Sequence, residues 1–154
     1  MKTHHNFILI ASLVFLLDRF SKQLILLFNQ EIYIFNCLII QLRQNYGIAL
    51  GIPFFIDSLF WPTILILGLL AIYFKRKIIL KSPDKKGIIG LGLIIGGAAG
   101  NIFDRLAFGY IIDFINIPFF NLIINFADMG IISGAVLAGS TILENRNSAA
   151  LNKF

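Results

Sequence analysis

Four stretches of the chain are apolar over a length close to the thickness of a lipid bilayer, and this feature constrains the fold more than any other. Crossing about 30 Å of hydrocarbon takes about 20 apolar residues in a helix, with about 17 as a lower limit. The stretches that meet this requirement are residues 7–28, 58–74, 87–106 and 127–143. They predict an integral membrane protein with four transmembrane helices, formed by a single domain over residues 1–154.

The composition argues against several other classes of protein. Charged residues make up 14% of the chain, whereas a soluble domain has about 25%. The net charge of +5 does not predict a nucleic-acid partner, because phosphate binding needs basic groups gathered on one face. Cys37 is the only cysteine, which excludes an internal disulfide and a cysteine-based zinc site.

The basic residues are concentrated in one connection between the predicted helices. Segment 75–86 contains six of the 13 Lys and Arg residues, whereas segment 29–57 contains only Arg43 and segment 107–126 contains none. An excess of Lys and Arg marks cytoplasmic loops. Segment 75–86 and both termini are therefore predicted to be cytoplasmic, and the other two segments to face outward.

Both outer segments are rich in Ile, Phe and Tyr, which favours short β-strands. Open strand edges cannot face lipid, because their backbone groups would have no hydrogen-bond partners. The sequence therefore predicts an all-α membrane protein, a bundle of four transmembrane helices with a small β-sheet on its outer, periplasmic surface.

Three of the predicted helices carry polar side chains in the outer half of the bilayer. At about 1.5 Å per residue, Asp18 lies about 16 Å from the cytoplasmic end of its helix, and Asn101 and Asp104 lie about 21 and 25 Å from theirs. Asp128 is at the outer end of the fourth helix. Polar groups within a membrane usually mark function. These groups open to one side only, which favours a site at the outer leaflet over a transport path with access from both faces.

The spacing within the helices allows structural as well as functional interpretations. Asp18 and Lys22 are four residues apart and can form an ion pair. This pair would support the fold, anchor Lys22 at the membrane interface, or contact a ligand. Asn101, Asp104 and Arg105 share one face of the third predicted helix. The last two would otherwise form a charge pair among the lipid headgroups.

Two further carboxylates are Asp113, in the outer segment after the third predicted helix, and Asp128, at the start of the fourth. Asp113 stands among Ile and Phe residues, an unusual setting for a loop charge in water, whereas Asp128 would in the simplest case cap a helix. Two carboxylates in a dry site cannot both ionise easily, so one keeps a proton and the pair provides an acid and a base. Hydrolysis of a peptide bond uses both, one to activate water and one to assist the departing amine.

Four strings resemble motifs of lipoprotein signal peptidase, also called signal peptidase II, a family of bacterial intramembrane aspartyl peptidases. The strings are DRFSK at 18–22, NYGIAL at 45–50, GGAAGNIFDRLAFGYIIDFI at 96–115 and NFADMGIISG at 125–134. They occur in the family's order, and the resemblance extends over nearly the whole chain. It implies four helices, cytoplasmic termini and an outer sheet, in agreement with the prediction from hydropathy.

The resemblance also implies roles for individual residues. Asp113 and Asp128 match the family's catalytic pair. Asn45 matches a residue at the bound substrate or inhibitor, and Asn125 matches a polar partner of the pair. The positions expected to bind substrate or to support the site are Asn45, Gly47, Asn101, Asp104, Arg105, Asn125, Asp18 and Lys22. Leu50 and Ile124 stand where the family usually has Phe, and these changes leave every ionisable group of the motifs in place.

The implied reaction is hydrolysis of a signal peptide immediately before a cysteine that already carries diacylglycerol. The implied partners are the diacylglyceryl-prolipoprotein, membrane lipid and globomycin-type peptide inhibitors, and the implied location is the bacterial cytoplasmic (inner) membrane. No metal or other cofactor is expected, because two carboxylates supply the acid and the base.

Two alternative functions remain at this point. Another intramembrane aspartyl peptidase, acting on non-lipidated preproteins, would use the same carboxylates. A small proton-linked transporter would need polar groups near the middle of the bilayer in the second or fourth helix. Only Ser133, Ser140 and Thr141 offer such groups, and hydroxyls of this kind commonly serve helix packing.

Overall fold

The computed structural model describes residues 2–34, 37–46 and 85–151. Three α-helices lie within them, α1 (Lys2–Phe28), α2 (Lys85–Phe108) and α3 (Phe126–Leu151). The helices predicted at 7–28, 87–106 and 127–143 are present, and each extends beyond its predicted bounds because polar residues continue the helix past the apolar stretch. The helix predicted at 58–74, nearly all of segment 75–86, and Gly47 lie outside the described residues.

The helices differ in how well they suit a membrane. Among the described residues, α2 is the one helix long and apolar enough to cross a bilayer by length and composition, and Phe126–Thr141 is a shorter apolar helix. In α1, the charged residues Asp18, Arg19 and Lys22 interrupt the apolar sequence. Charges of this kind are tolerated in a membrane only when other protein groups surround them.

Four short strands form one antiparallel sheet in the order β1-β2-β3-β4. The strands are β1 (Ile32–Ile34), β2 (Leu38–Asn45), β3 (Ile111–Ile117) and β4 (Leu122–Ile124). The prediction of a small sheet built from both outer segments is confirmed. The β2–β3 register pairs Asn45 with Ile111, so Asn45 and Asp113 are diagonal neighbours on one face of the sheet.

Glycines allow α2 to pack closely against both other helices. A Cβ atom at Gly92 would lie 2.9 Å from the Ile10 side chain of α1, and one at Gly96 would overlap the carbonyl oxygen of Ala11. On another face of α2, Gly97 contacts the first turn of α3. Small residues four positions apart on a helix allow neighbouring helices to approach this closely. The order of the contacts along the helices shows that α1 and α2 are parallel and that α3 is antiparallel to them. The end of α2 therefore meets the beginning of α3 beside the sheet.

Candidate active site

The two candidate catalytic carboxylates lie where the sheet meets the helices. Asp113 is in β3 and is 2% exposed. Asp128 is half-buried in the first turn of α3. The charge of Asp128 acts on Asp113, so the structure brings the two predicted carboxylates together.

Asparagine side chains donate hydrogen bonds to both carboxylates. Asp113 accepts one from Asn45 Nδ2 at its Oδ2 atom, at 2.7 Å, and one from Asn125 Nδ2 at its Oδ1 atom, at 2.6 Å. Asp128 Oδ1 accepts a hydrogen bond from Asn101 Nδ2 at 2.7 Å. Asn125 Nδ2 also donates to Asn101 Oδ1 at 3.1 Å, so the two carboxylates are linked through a pair of amides.

Asn125 and Asp128 together cap the start of α3. Asn125 Oδ1 accepts a hydrogen bond from the Asp128 backbone N–H at 2.8 Å, and Asp128 Oδ2 faces the Asn125 N–H at 3.4 Å. This reciprocal arrangement is a capping box. The residue at the N-cap position is therefore Asn125 and not Asp128, which takes part in the cap from the first turn of the helix. The helix begins at Phe126, so Asn125 caps it and Asp128 directs its other oxygen to Asn101.

A cluster of four buried charges, the ion cluster, lies beside the carboxylate pair. Lys22 Nζ is 2.8 Å from Asp18 Oδ2 and 2.7 Å from Asp104 Oδ2. Arg19 Nη2 is 2.6 Å from Asp104 Oδ1 and 3.7 Å from Asp18 Oδ2. Two acidic and two basic groups make the cluster neutral. Gly100 leaves room for it, since a Cβ atom there would lie 2.5 Å from Asp18 Oδ2.

The ion cluster decides between several of the interpretations of the sequence. The Asp18–Lys22 pair is present, but Lys22 is fully buried, so it is not an anchor at the membrane interface. Asp104 pairs with Lys22 and Arg19. Arg19 was not predicted as a site residue. Its signal in the sequence is a second basic residue directly after Asp18 in an apolar helix, where an unpaired charge would be costly.

Arg105 extends the site on the α2 side. It is half-buried, and its charge interacts with those of Asp128, Asp113 and Asp104. All the predicted site residues that the structure describes therefore lie in one region. Within residues 2–34, 37–46 and 85–151, no group of three or more His, Cys, Asp or Glu side chains is placed to hold a metal ion.

The environment of Asp113 favours its protonated form. Burial and the nearby charge of Asp128 raise the pKa of Asp113 to about 7, against the hydrogen bonds from Asn45 and Asn125 and the charge of Lys22, which favour the carboxylate. Near neutral pH this carboxyl group therefore holds or releases a proton readily. Such a group beside a second carboxylate suits general acid–base catalysis.

Comparison with known proteins places this site in a family. The sequence profile described as signal peptidase (SPase) II matches residues 10–143. The lipoprotein signal peptidase of Wigglesworthia glossinidia brevipalpis is 37% identical over 147 residues, which cover 89% of this chain and 92% of that protein. The lipoprotein signal peptidase of Aquifex aeolicus is also 37% identical, over 88% of this chain and 84% of that protein.

Two solved structures, both described as bacterial membrane enzymes, share the fold. One superposes with a TM-score of 0.78 at 25% identity and covers 94% of this chain and 91% of its own. The other has a TM-score of 0.73 at 26% identity and covers 90% of this chain and 93% of its own.

The raised pKa of Asp113 predicts that this residue lowers stability as the pH rises. The folded state holds the proton up to about pH 7, whereas the unfolded chain releases it near pH 4, at about the ordinary pKa of Asp. The folded state thus binds more protons between these values, and its free energy of unfolding falls as the pH rises through them. Asp113→Asn removes this dependence. Its melting temperature relative to the wild type should rise between pH 4 and pH 7.5, measured in one detergent.

Glu144→Gln is the matched control for that measurement. Glu144 is an exposed carboxylate paired with Lys86 at 3.1 Å, so its substitution should leave the pH dependence unchanged. A difference between Asp113→Asn and the wild type that stays constant from pH 4 to pH 7.5 would contradict the raised pKa.

Proposed function

The chain belongs to the signal peptidase II family, and we propose that Asp113 and Asp128 act in it as the acid and the base of an aspartic peptidase. The chain is a membrane protein that removes signal peptides from prolipoproteins. The observation that carries the proposed mechanism is a buried carboxyl group with a pKa of about 7 beside a second carboxylate. Such a pair holds one proton near neutral pH.

In the proposed reaction, the ionised carboxylate takes a proton from a water molecule, and the water oxygen attacks the carbonyl carbon of the scissile peptide bond. The protonated carboxyl group gives its proton to the carbonyl oxygen, which neutralises the developing negative charge. When the C–N bond breaks, the departing amine takes up a proton from the pair, and a hydroxyl of the intermediate returns one. The pair ends with the single proton with which it began.

The neighbouring residues support this chemistry in different ways. The amide of Asn45 donates to Asp113 and lies at the end of β2, from which it can also reach a substrate. The guanidinium of Arg105 adds positive charge beside both carboxylates. We assign these two residues to binding of the peptide and of the charge formed during the reaction. The proposal needs no metal or organic cofactor, since the carboxylates provide the acid and the base.

Replacing either carboxylate tests the mechanism. Asp113→Asn and Asp128→Asn preserve size but remove the proton exchange, so each should abolish cleavage of a synthetic prolipoprotein. Because the two groups act as a unit, the double variant should be no slower than either single one. Glu144→Gln, which changes an exposed carboxylate, should cleave at the wild-type rate.

A metal chelator and a thiol-blocking reagent should leave the wild-type rate unchanged in the same assay. Substantial cleavage by Asp113→Asn or Asp128→Asn, with contaminating peptidases excluded, would rule out the carboxylate mechanism.

We further propose that the substrate carries diacylglycerol on the cysteine after the scissile bond. Support comes from the motif resemblance and from large apolar side chains that are exposed on the helices near the site, such as Phe20 and Leu106, 65% and 70% exposed. Surfaces of this kind suit contact with acyl chains. Lipid on the substrate would hold the scissile bond at the depth of Asp113 and Asp128. Globomycin-type peptides would compete for the same position.

Cleavage of one synthetic prolipoprotein with and without its diacylglyceryl group tests this specificity. The lipidated form should be cleaved and the other form should not, with both forms assayed in the same detergent. Equal cleavage of the two forms would instead favour a peptidase for non-lipidated preproteins.

We also propose four membrane spans in the bacterial inner membrane, with both termini in the cytoplasm. Because α1 and α2 are parallel, the chain between them must return across the membrane if both helices span it, which supports the span predicted at 58–74. The six basic residues in segment 75–86 support a cytoplasmic position for that segment. The sheet and the site then lie on the outer side.

Reporter fusions test the orientation. An enzyme that is active only in the periplasm should be inactive when fused after Lys81 and active when fused after Asn116. The reverse pattern would overturn the orientation and the outer position of the site.

A further inference from the structure

The ammonium group of Lys22 is fully buried and has three acceptors within hydrogen-bond distance. They are Asp18 Oδ2 at 2.8 Å, Asp104 Oδ2 at 2.7 Å and Asn101 Oδ1 at 3.1 Å. The contact with Asn101 is a hydrogen bond, and the contacts with Asp18 and Asp104 are ion pairs. The three acceptors lie on two helices, two of them on α2 and one on α1, so that a single group connects these helices.

Two of these acceptors hold the backbone directly before the catalytic carboxylates. Asp104 Oδ2 accepts a hydrogen bond from the N–H of Ile112 at 3.1 Å, the residue before the catalytic aspartate of β3. Asp18 Oδ1 accepts one from the N–H of Ala127 at 2.9 Å, the residue before the catalytic aspartate of α3. Lys22 bonds both of these acidic side chains. The ammonium therefore ties together the two backbone segments that carry the pair.

The third acceptor fixes the orientation of a side-chain amide. Lys22 can only donate, so the oxygen of Asn101 must face it, and the Asn101 NH₂ group must then face Asp128. The same oxygen accepts a hydrogen bond from Asn125, whose NH₂ group also donates to Asp113. Removing Lys22 would remove the charge that holds this orientation.

We propose that Lys22 is a positioning residue that sets the spacing and orientation of Asp113 and Asp128 through its three acceptors. The proposal rests on the proposed function, since it assumes that these two carboxylates do the chemistry. Among the described residues, Lys22 bonds neither carboxylate directly. Its effect on the reaction passes through Asp18, Asp104 and the Asn101 amide.

Only lysine fits this position. Arginine keeps the charge, but its planar fork cannot direct three donors to acceptors arranged around a point. A neutral side chain leaves two buried carboxylates with only Arg19 to balance them, and an unbalanced buried charge is strongly destabilising. A test must therefore separate the loss of positioning from the loss of folding.

The double variant Lys22→Met/Asp18→Asn makes this separation. It removes one basic and one acidic group, so Arg19 and Asp104 still balance, and the amide oxygen of an asparagine can still accept the Ala127 N–H. The double variant should fold, yet its kcat should be about a hundredfold lower than that of Asp18→Asn alone, as expected when reacting groups are misplaced by about 1 Å. KM should change little. The pH profile of kcat should also shift, because the amide that donates to Asp128 is no longer held.

Two further variants complete the test. Ile94→Ala changes a buried apolar residue of α2 that is 4% exposed and should lower the melting temperature with no shift in the pH profile. Lys22→Arg preserves the cluster charge and should fold, with kcat reduced at least about tenfold because the bonding geometry is lost.

The outcomes distinguish this inference from the proposed function. If the double variant has the kcat and pH profile of Asp18→Asn, or if Lys22→Arg matches the wild type, Lys22 only supports the fold and the inference is wrong. If Asp113→Asn or Asp128→Asn still cleaves, the proposed mechanism fails whatever the Lys22 variants show. Failure of the double variant to fold would leave Lys22→Arg to decide.

Discussion

The buried ion cluster of Asp18, Arg19, Lys22 and Asp104 is the interaction on which the rest of the structure depends. Burying charges is costly, and the cost is repaid only when their attraction and their hydrogen bonds are both complete. Here two acidic and two basic groups balance, and each acidic group also accepts a hydrogen bond from a backbone N–H, Asp104 from Ile112 of β3 and Asp18 from Ala127 of α3. One neutral cluster thereby fixes α1, α2, the sheet and the start of α3 relative to one another.

The proposed catalytic pair, Asp113 and Asp128, differs from the ion cluster because it places two acidic groups together, whereas the cluster pairs its acidic groups with basic ones. Burial and a second carboxylate raise the pKa of Asp113, which costs stability at neutral pH. The amides of Asn45 and Asn125 relieve part of this cost but leave the group able to exchange a proton. Functional sites commonly retain such conflicts, which the surrounding structure holds in place.

The sequence predicted the three helices that the structure describes and the existence of the sheet, because both depend on local patterns of apolar residues. It also predicted that Asp18, Lys22, Asn101 and Asp104 would converge, since their depths follow from the helical rise. It did not predict which groups pair. The partner of Asp104 and the cap of α3 depend on side chains from other elements and on the residue at which a helix begins. Hydropathy leaves that residue uncertain by several positions.

The amides of Asn101 and Asn125 lie between the ion cluster and the catalytic pair, and their chemistry explains why asparagine suits these positions. An amide donates and accepts hydrogen bonds but does not titrate at ordinary pH. The Asn101 amide, which Lys22 orients, can therefore hold Asp128 in place without accepting its proton. A carboxylate in place of Asn101 would face Lys22 and Asp128 together, adding a third negative charge and a competing base. Asn101 and Asn125 thus connect the ion cluster to Asp113 and Asp128 through groups that do not exchange protons.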